Sequence, residues 1–310
     1  MKSTGLAALA ALAMAVPANA ASYDNLNAGI QLYNMGQWKS AVEQFDKALA
    51  ADDLAPSLRF IAYFDRAQSH IRLSQFGPAI EDYSASLALR PSEVQALTDR
   101  AFAFSATGKL DQASADLDSA IAARPKLGHL YGMRAAVNIK RGQTDKSRED
   151  MKTALALLPE RASGSSGIGI ANWIVGQLDD AEKNFSDAID KKDGHAIYAW
   201  LWYALTEVRL GKSVPRRALP DFDLKTWPGP IASFFLGNTT QDVVFAAAAQ
   251  GQANAIDGQV CEANFYVGEW LLQHHNQAGA KPLITKAASD CPTEFIEWMP
   301  AQMDQAGLLE

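Results

Sequence analysis

The sequence predicts an all-α fold in which consecutive antiparallel helix pairs stack into a solenoid. Alanine and leucine are abundant and runs of β-branched residues are rare, which favours helix throughout the chain. One pattern of small and large apolar residues also returns along the chain, and its copies close on Pro91, Pro125, Pro159 and Asp193, each 34 residues after the last. Each pair would leave an apolar face that only its neighbour can cover, so the copies are expected to stack.

Residues 1–20 predict a secretory signal peptide. Lys2 precedes an uninterrupted run of small and apolar residues from Gly5 to Val16, and the small triplet Ala18 to Ala20 follows. This is the pattern of a leader that is cleaved after Ala20. The run is shorter than the roughly 20 residues that a membrane anchor needs, and no cysteine lies near the cleavage point to carry a lipid. We therefore expect a soluble periplasmic protein without a lipid anchor, in a compartment where disulfides persist.

Residues 21–193 are expected to hold five consecutive repeats. With a frame that starts at Ser22, glycines supply a left-handed turn after the first helix of each pair, and prolines stop the second helix. Small residues at positions 8 and 20 of the frame let the two helices approach closely. The turn glycines are Gly36, Gly108, Gly142 and Gly176, and the small residues are Ala67, Ala101, Ala135 and Gly169 at position 8 and Ala41, Ala79, Ala113 and Ala181 at position 20.

Residues 194–259 are expected to form a degenerate sixth repeat and an irregular insertion. The segment HAIYAWLWYALTEVRLGKS reads as a first helix that ends at Gly211 and is apolar on nearly all sides. Its partner helix does not follow the frame, because Pro215, Pro220, Pro228 and Pro230 make the next segment loop-rich. Two short helices, over IASFFLG and TQDVVFAAAAQ, are predicted before the last repeat.

Residues 260–310 are expected to return to the frame as a helix hairpin followed by a capping helix. Gly268 and Ala280 take positions 8 and 20 when the frame starts at Cys261, and Cys291 then follows the end of the second helix. These two ends are neighbours in an antiparallel hairpin, so a disulfide between Cys261 and Cys291 is geometrically reasonable. Such a bond would stabilise the fold by roughly 3 to 4 kcal/mol on the chain-entropy model.

A metal site and a catalytic thiol are the alternatives for this segment. His274 and His275 are adjacent, so on a helix they point about 100° apart and do not converge on one metal without distant partners. They are more simply solvated residues at the helix turn. A catalytic Cys261 would need a nearby base and a depressed pKa, and the sequence indicates neither.

The period and the residue types of the copies resemble the tetratricopeptide repeat (TPR), which implies a TPR α-solenoid that winds as a right-handed superhelix. The segments WPGPI (Trp227 to Ile231), FFLG (Phe234 to Gly237), CEANFYVGE (Cys261 to Glu269) and EFIEW (Glu294 to Trp298) resemble the C-terminal half of NlpI-type bacterial envelope TPR proteins. This resemblance implies a non-enzymatic scaffold that holds peptidoglycan hydrolases and a C-terminal processing protease together in cell-envelope maintenance. The founding members of that family are lipoproteins, whereas this chain lacks the lipidated cysteine.

Composition and motifs argue against several other functions. The chain has 28 basic and 35 acidic residues and a net charge of −7, which disfavours nucleic acid and anionic membrane surfaces. The stretch SGSSGIGIAN (Ser163 to Asn172) lacks the Gly-Lys-Ser/Thr ending of a phosphate-binding loop. It indicates close helix packing in the fifth repeat or, alternatively, a place where a bound peptide approaches the backbone. No zinc-protease or nucleophile-elbow motif occurs, so we predict no catalytic residue, cofactor or metal.

We therefore expect the protein to function by binding a partner. The first helices of the repeats are the candidate binding surface. In TPR arrays the inner groove is lined mainly by positions 2, 5, 9 and 12 of these helices. We expect it to take an extended or helical apolar segment of a protein partner. The predicted groove residues are Tyr23, Leu26, Ile30, Tyr33, Phe64, Gln68, Phe102, Ile170, Trp173 and Leu201, with Ile71, Ile139 and Leu205 at equivalent positions. The alternative is that dimerisation or the terminal helices bury some of them.

Two further functions stay open at this stage. One is a homo-oligomeric organiser of the envelope, for which a homodimer would be the simplest form. The other is an accessory subunit of an enzyme complex or a weak hydrolase that uses Glu262 and Glu269. These two carboxylates lie seven residues apart on one helix face, or about 10 Å, which is outside the range of most paired-carboxylate chemistry.

Overall fold

The computed structural model describes residues 20–50, 53–158, 166–190, 196–214, 219, 222–250, 255–292 and 297–309. The predicted signal peptide lies outside these residues, apart from Ala20. The described residues form sixteen α-helices and no strand, so the all-α prediction is confirmed. In chain order the helices are α1 Ala20–Asn34, α2 Trp38–Ala50, α3 Pro56–Arg72, α4 Phe76–Leu89, α5 Val94–Ala106, α6 Leu110–Ala123, α7 Gly128–Lys140, α8 Thr144–Ala156, α9 Ser166–Ile174, α10 Leu178–Asp190, α11 Ala196–Arg209, α12 Gly229–Phe235, α13 Gln241–Ala248, α14 Ile256–Gln273, α15 Gln277–Asp290 and α16 Trp298–Leu309.

The chain divides into two compact units, Met1–Pro125 (unit 1) and Lys126–Glu310 (unit 2). Unit 1 consists of three antiparallel hairpins, α1–α2, α3–α4 and α5–α6, with α2 packed on α3 and α4 packed on α5. Unit 2 starts with the hairpins α7–α8 and α9–α10 and continues through α11, the short α12 and α13, the hairpin α14–α15 and the final α16. Among the described residues, no helix combines the length and the apolarity that a bilayer crossing requires.

The turns inside the hairpins follow the sequence pattern. The four predicted turn glycines and Gly211 have φ between 70° and 79°, the left-handed conformation that glycine adopts without a steric cost. Two hairpins lack this glycine: Ser74 (φ 58°) closes α3–α4, and His275 (φ 59°) closes α14–α15. His274 is the C-cap of α14, and its Nδ1 lies 2.7 Å from the backbone oxygen of Trp270. Both histidines thus belong to the turn, as the simpler interpretation expected.

Close packing within the hairpins depends on position 8 of the frame. A Cβ added to Gly169 would lie 2.6 Å from the Phe185 ring, and a Cβ on Gly29 would lie equally close to the Phe45 ring. Gly268 meets Ile284 in the same way, at 2.8 Å. In each case a glycine at position 8 lets the large residue at position 24 reach the first helix. For Gly169, the structure therefore supports close packing.

The core of unit 2 is built around α11. Its residue Trp202 is fully buried and packs against Trp173 and Phe185 of the preceding repeat and against Phe265 of α14. A helix that is apolar all round is expected to be buried on all sides. Here α10 and α14 cover it.

The last hairpin carries the disulfide. The sulfur atoms of Cys261 and Cys291 are 2.02 Å apart and their Cα atoms are 5.1 Å apart. The sequence frame started this helix at Cys261, which was wrong by five residues, because α14 begins at Ile256 with Asp257 in its first turn. An acidic side chain there favours the helix N-terminus. Cys291 follows directly after α15.

Candidate protein-interaction site

The first helices of unit 1 share a row of hydrogen-bonded polar side chains. The Tyr33 hydroxyl on α1 donates to Oε1 of Gln68 on α3 at 2.6 Å. Gln68 Nε2 donates in turn to Oδ2 of Asp99 on α5 at 3.3 Å, and Gln95 Nε2 donates to the other Asp99 oxygen at 2.8 Å. Tyr33, Gln68 and Asp99 are half-buried. We call Tyr33, Gln68 and Asp99 the first-helix row.

Burial controls the electrostatics of this face. It raises the pKa of Asp99, although hydrogen bonds from Gln95, Gln68 and Tyr83 oppose the shift by favouring the carboxylate. On α3, burial raises the pKa of the neighbouring Asp65 to about 7. Tyr83 is almost fully buried, and its pKa is raised by burial and by the charge of Asp99. The face therefore offers acceptor oxygens at a site where charge is poorly solvated.

Exposed aromatic side chains also lie on the first helices of unit 1. Tyr23 on α1 is 41% exposed, and Phe102 on α5 is 52% exposed with its ring edge-on to Phe76, 6.1 Å between centroids. Ile30 is half-buried against the core of the first hairpin. Tyr23, Ile30, Tyr33, Gln68 and Phe102 therefore keep accessible surface, although the face is more polar than the sequence indicated.

Five of the predicted groove residues are core residues instead. Leu26 and Phe64 are buried in unit 1, and Ile170, Trp173 and Leu201 are buried in unit 2. The last three belong to one apolar cluster that residues of α11, α14 and α16 complete. Ile139 and Leu205, at equivalent frame positions, are buried in the same cluster. The residues in this cluster offer no surface to a peptide, because side chains of α11, α14 and α16 belong to the same cluster and cover them.

The structure contains a repeated ion pair that the sequence pattern had not predicted. Arg100 on α5 donates from Nε and Nη2 to the two carboxylate oxygens of Asp116 on α6, at 2.8 and 2.7 Å. The same two-bond geometry joins Arg66 to Asp82 and Arg134 to Asp150. Planar guanidinium groups favour this geometry. The signal was present, since the arginines recur every 34 residues and each aspartate follows 16 residues later. We call these three pairs the interhelix ion pairs.

The two carboxylates considered for a weak hydrolase, Glu262 and Glu269, are hydrogen-bonded or buried inside unit 2. Oε2 of Glu262 accepts hydrogen bonds from the Tyr198 hydroxyl at 3.0 Å and from Trp227 Nε1 at 2.7 Å. Glu269 is fully buried, and burial followed by the charge of Asp304 raises its pKa well above the usual value. Glu269 is closed off from solvent, so the two carboxylates do not face each other across an open cleft.

The C-terminal segments that carry the envelope-family resemblance meet in space. Trp227 of WPGPI donates to Glu262 of CEANFYVGE, and the Tyr266 hydroxyl donates to Oε1 of Glu297 in EFIEW at 2.9 Å. These contacts fix the loop before α12 and the start of α16 against α14. Within the described part of the chain, no group of three or more histidine, cysteine, aspartate and glutamate side chains could hold a metal ion.

Comparisons with known proteins agree with this architecture. The structure is similar to a tetratricopeptide repeat protein from Parabacteroides merdae ATCC 43184, with a TM-score of 0.53 and 14% sequence identity over 93% of this chain and 99% of that one. No protein-family model matches the chain.

Two curated relatives match shorter segments. Sperm-associated antigen 1 of Mus musculus is 34% identical over 85 residues, and serine/threonine-protein phosphatase T of Aspergillus oryzae is 35% identical over 78 residues. These segments cover 27% and 25% of this chain, but the chain spans only 9% and 16% of the two relatives. The tandem hairpins and the structural likeness together show that the chain folds as a tetratricopeptide-repeat α-solenoid.

Proposed function

We propose that this chain is a non-enzymatic scaffold that binds protein partners, and that the first-helix row of unit 1 belongs to its binding surface. The observation that carries this proposal is that three successive first helices place Tyr33, Gln68 and Asp99 in one connected row. The three residues hold positions 12, 9 and 6 of the repeat frame, so the row does not follow one frame position. Stacked first helices nevertheless form an extended surface, and an extended polypeptide segment is a natural ligand for such a surface.

The chemistry of the surface suggests what the partner segment offers. Asp65 and Asp99 supply acceptor oxygens, so the partner would present backbone N–H groups or other donors to them. Tyr23 and Phe102 supply exposed aromatic surface on α1 and α5, two of the helices that carry the row. Aromatic residues are enriched where proteins bind one another. A segment that alternates donors and apolar side chains therefore fits better than the purely apolar segment that the sequence suggested.

We further propose that the scaffold acts in the bacterial cell envelope, in the periplasm, on peptidoglycan hydrolases and a C-terminal processing protease. Three features support this. Residues 1–20 have the pattern of a secretory leader. The Cys261–Cys291 disulfide suits an oxidising compartment. Four C-terminal segments, including WPGPI and CEANFYVGE, resemble the envelope family, and Trp227 and Glu297 from two of them bond to Glu262 and Tyr266 of CEANFYVGE.

Affinity capture tests the proposal. Residues 21–310 would be immobilised and exposed to a periplasmic extract, and the bound proteins would be identified by mass spectrometry. We expect a wall hydrolase or an envelope protease among them. The triple variant Tyr23→Ser, Gln68→Ala and Phe102→Ser should lose this capture while its helicity, measured by circular dichroism, stays unchanged.

The matched control is Met35→Ser. Met35 is highly exposed, lies in the turn after α1 and is not a member of the row. This variant should bind like the unmodified chain. Equal capture by the triple variant would refute the assignment of the surface, and hydrolytic activity of the purified chain on peptidoglycan would refute a purely scaffolding role.

A further inference from the structure

Unit 2 contains a cavity of about 360 Å³ between α8, α9 and α10. Lys152 and Leu155 line it from α8, Ile168 and Asn172 from α9, and Lys183 and Asn184 from α10. We call this cavity the α8–α10 notch. Its volume lies within the range of sites that bind small ligands or side chains of a partner.

The notch lies where earlier repeats hold an arginine. Arg66 reaches between two second helices, with Nη1 bonded to Asp46 of α2 at 2.6 Å and Nε and Nη2 bonded to Asp82 of α4. Arg100 makes the same bridge from Ser84 of α4, at 2.9 Å, to Asp116 of α6. The guanidinium thus fills the gap between consecutive second helices.

Between the fourth and fifth repeats, every member of this bridge is replaced. Ile168 stands at the arginine position, and Asn184 stands at the position of Asp82 and Asp116. Lys152 stands where earlier second helices have Asp46 and Ser84. The shorter, apolar Ile168 does not reach across the gap, and the cavity results.

The charge of the gap is also inverted. The guanidinium is bonded to two carboxylates at Arg66 and to one carboxylate and one hydroxyl at Arg100. Lys152 and Lys183 line the notch instead, with Asp180 as the acidic side chain among its described lining residues. The Lys152 ammonium lies 2.8 Å from Glu149, which is 71% exposed. Exposed pairs of this kind are weak, so Lys152 can exchange Glu149 for another carboxylate. A ligand for this site is therefore an anion.

Asn172 adds a hydrogen-bond donor to the notch. Its side chain lines the notch, and the residue is only 5% exposed. A side-chain amide NH₂ group donates hydrogen bonds to carboxylate oxygens. A carboxylate in the notch would accept a hydrogen bond from the Asn172 amide.

We propose that the α8–α10 notch binds an acidic side chain of a partner protein. The carboxylate lies between Lys152 and Lys183 and accepts from Asn172, and a neighbouring apolar side chain of the same segment packs on Leu155 and Ile168. The ligand is thus an acidic peptide segment with alternating apolar residues. This inference rests on the proposed scaffold function, since it names one kind of segment that the scaffold takes.

A labelled peptide tests this inference directly. Residues 21–310 would be titrated into a fluorescein-labelled peptide that alternates glutamate and leucine, and fluorescence anisotropy would report binding. A peptide that alternates lysine and leucine serves as the charge control. We expect the acidic peptide to bind and the basic peptide not to bind. Lys183→Glu should weaken binding at least about tenfold, because it places a like charge against the ligand.

A second variant rebuilds the bridge. Ile168→Arg with Asn184→Asp restores the pair seen at Arg134 and Asp150 and fills the notch with the chain's own guanidinium. This double variant should lose peptide binding without a lower thermal unfolding midpoint. Lys146→Glu, an exposed position on α8 outside the notch, has the same charge change as Lys183→Glu and should bind like the unmodified chain.

The experiments distinguish a failure of the notch proposal from a failure of the proposed scaffold function. Absence of acidic-peptide binding, equal binding of the basic peptide, or full binding by both notch variants would overturn the notch as a carboxylate site. If the chain nevertheless captures envelope proteins, the scaffold function stands without it. If the peptide binds through the notch but no envelope protein is captured, the notch stands and the envelope partners proposed above do not.

Discussion

Arg134 and Asp150 face each other across the hairpin α7–α8 and share two hydrogen bonds, Nε to Oδ2 at 2.9 Å and Nη2 to Oδ1 at 2.6 Å. Asp150 also accepts from the buried Asn138 amide at 2.9 Å. The same arginine–aspartate geometry occurs in the two preceding repeats. The interhelix ion pairs therefore fasten the second helix of each hairpin to the first at a point where the carboxylate is nearly excluded from water.

Removing one member of such a pair should destabilise the fold. We expect Arg100→Met to lower the free energy of unfolding by about 2 to 3 kcal/mol, because Asp116 is then left as a nearly buried carboxylate without its cation. Urea denaturation followed by circular dichroism measures this change. The double variant Arg100→Met with Asp116→Leu should recover much of the loss. A double variant as unstable as the single one would show that the pair does not act in this way.

The close approach of α9 and α10 predicts a size limit at Gly169. Gly169→Ala should lower the free energy of unfolding by about 1 to 3 kcal/mol, because its methyl group would lie 2.6 Å from the Phe185 ring in a packed core. Gly167→Ala is the matched control on the same helix, since its Cβ meets nothing within 4 Å. That variant should be neutral or more stable, because alanine favours helix over glycine. Thermal unfolding of both proteins measures the difference, and equal midpoints would contradict the packing argument.

Glu297 predicts a pH dependence of stability. Burial raises its pKa to about 7 from a usual value near 4.5, and the charge of Glu262 adds to the shift while the Tyr266 hydrogen bond opposes it. Between these two pH values the folded state binds more protons than the unfolded state, so the free energy of unfolding falls as the pH rises through this window. Glu297→Gln keeps an acceptor for Tyr266 but carries no charge.

Urea denaturation at pH 4 and pH 8 tests this dependence. The loss of stability between the two pH values should be smaller in Glu297→Gln than in the unmodified chain, by about 2 to 3 kcal/mol. Glu81→Gln, which removes an exposed carboxylate in unit 1, should follow the unmodified chain. Parallel pH profiles for Glu297→Gln and the unmodified chain would contradict the assignment.

The disulfide should stabilise unit 2. Cys261 and Cys291 are 30 residues apart in the sequence, and opening a loop of this size costs roughly 3 to 4 kcal/mol on the chain-entropy model. Cys261→Ser with Cys291→Ser should lower the free energy of unfolding by this amount. Dithiothreitol should destabilise the unmodified chain and leave the double variant unaffected. If the reductant shifts both proteins equally, its effect does not act through this bond.

Much of the fold could be predicted from the sequence because the residues that define each helix pair contact one another within the same hairpin. The turn glycines, the small residues at position 8 and the large residues at position 24 act within one hairpin of 34 residues. The short helices α12 and α13 also lie close to their predicted positions. The start of α14 was missed because the residues before Cys261 resemble a polar linker, although the acidic Asp257 suits a helix N-terminus.

The candidate binding surface could be predicted only in part. Phe102 and Ile170 hold the same position of the repeat frame, yet Phe102 is 52% exposed and Ile170 is 6% exposed. Frame position fixes which face of its own helix a residue occupies. It does not fix what covers that face, and in unit 2 the cover comes from residues of α11, α14 and α16.

The sequence by itself determined the repeat length, the helix pairs and the positions of close contact within each pair, because these follow from backbone propensity and from contacts within one hairpin. Only the tertiary structure decided which apolar side chains remain exposed to solvent and which carboxylates are paired. It also decided where a cavity replaces the arginine that bridges consecutive second helices. Those outcomes depend on side chains that meet across repeats and across distant segments, such as Tyr198 and Glu262, 64 residues apart in the chain.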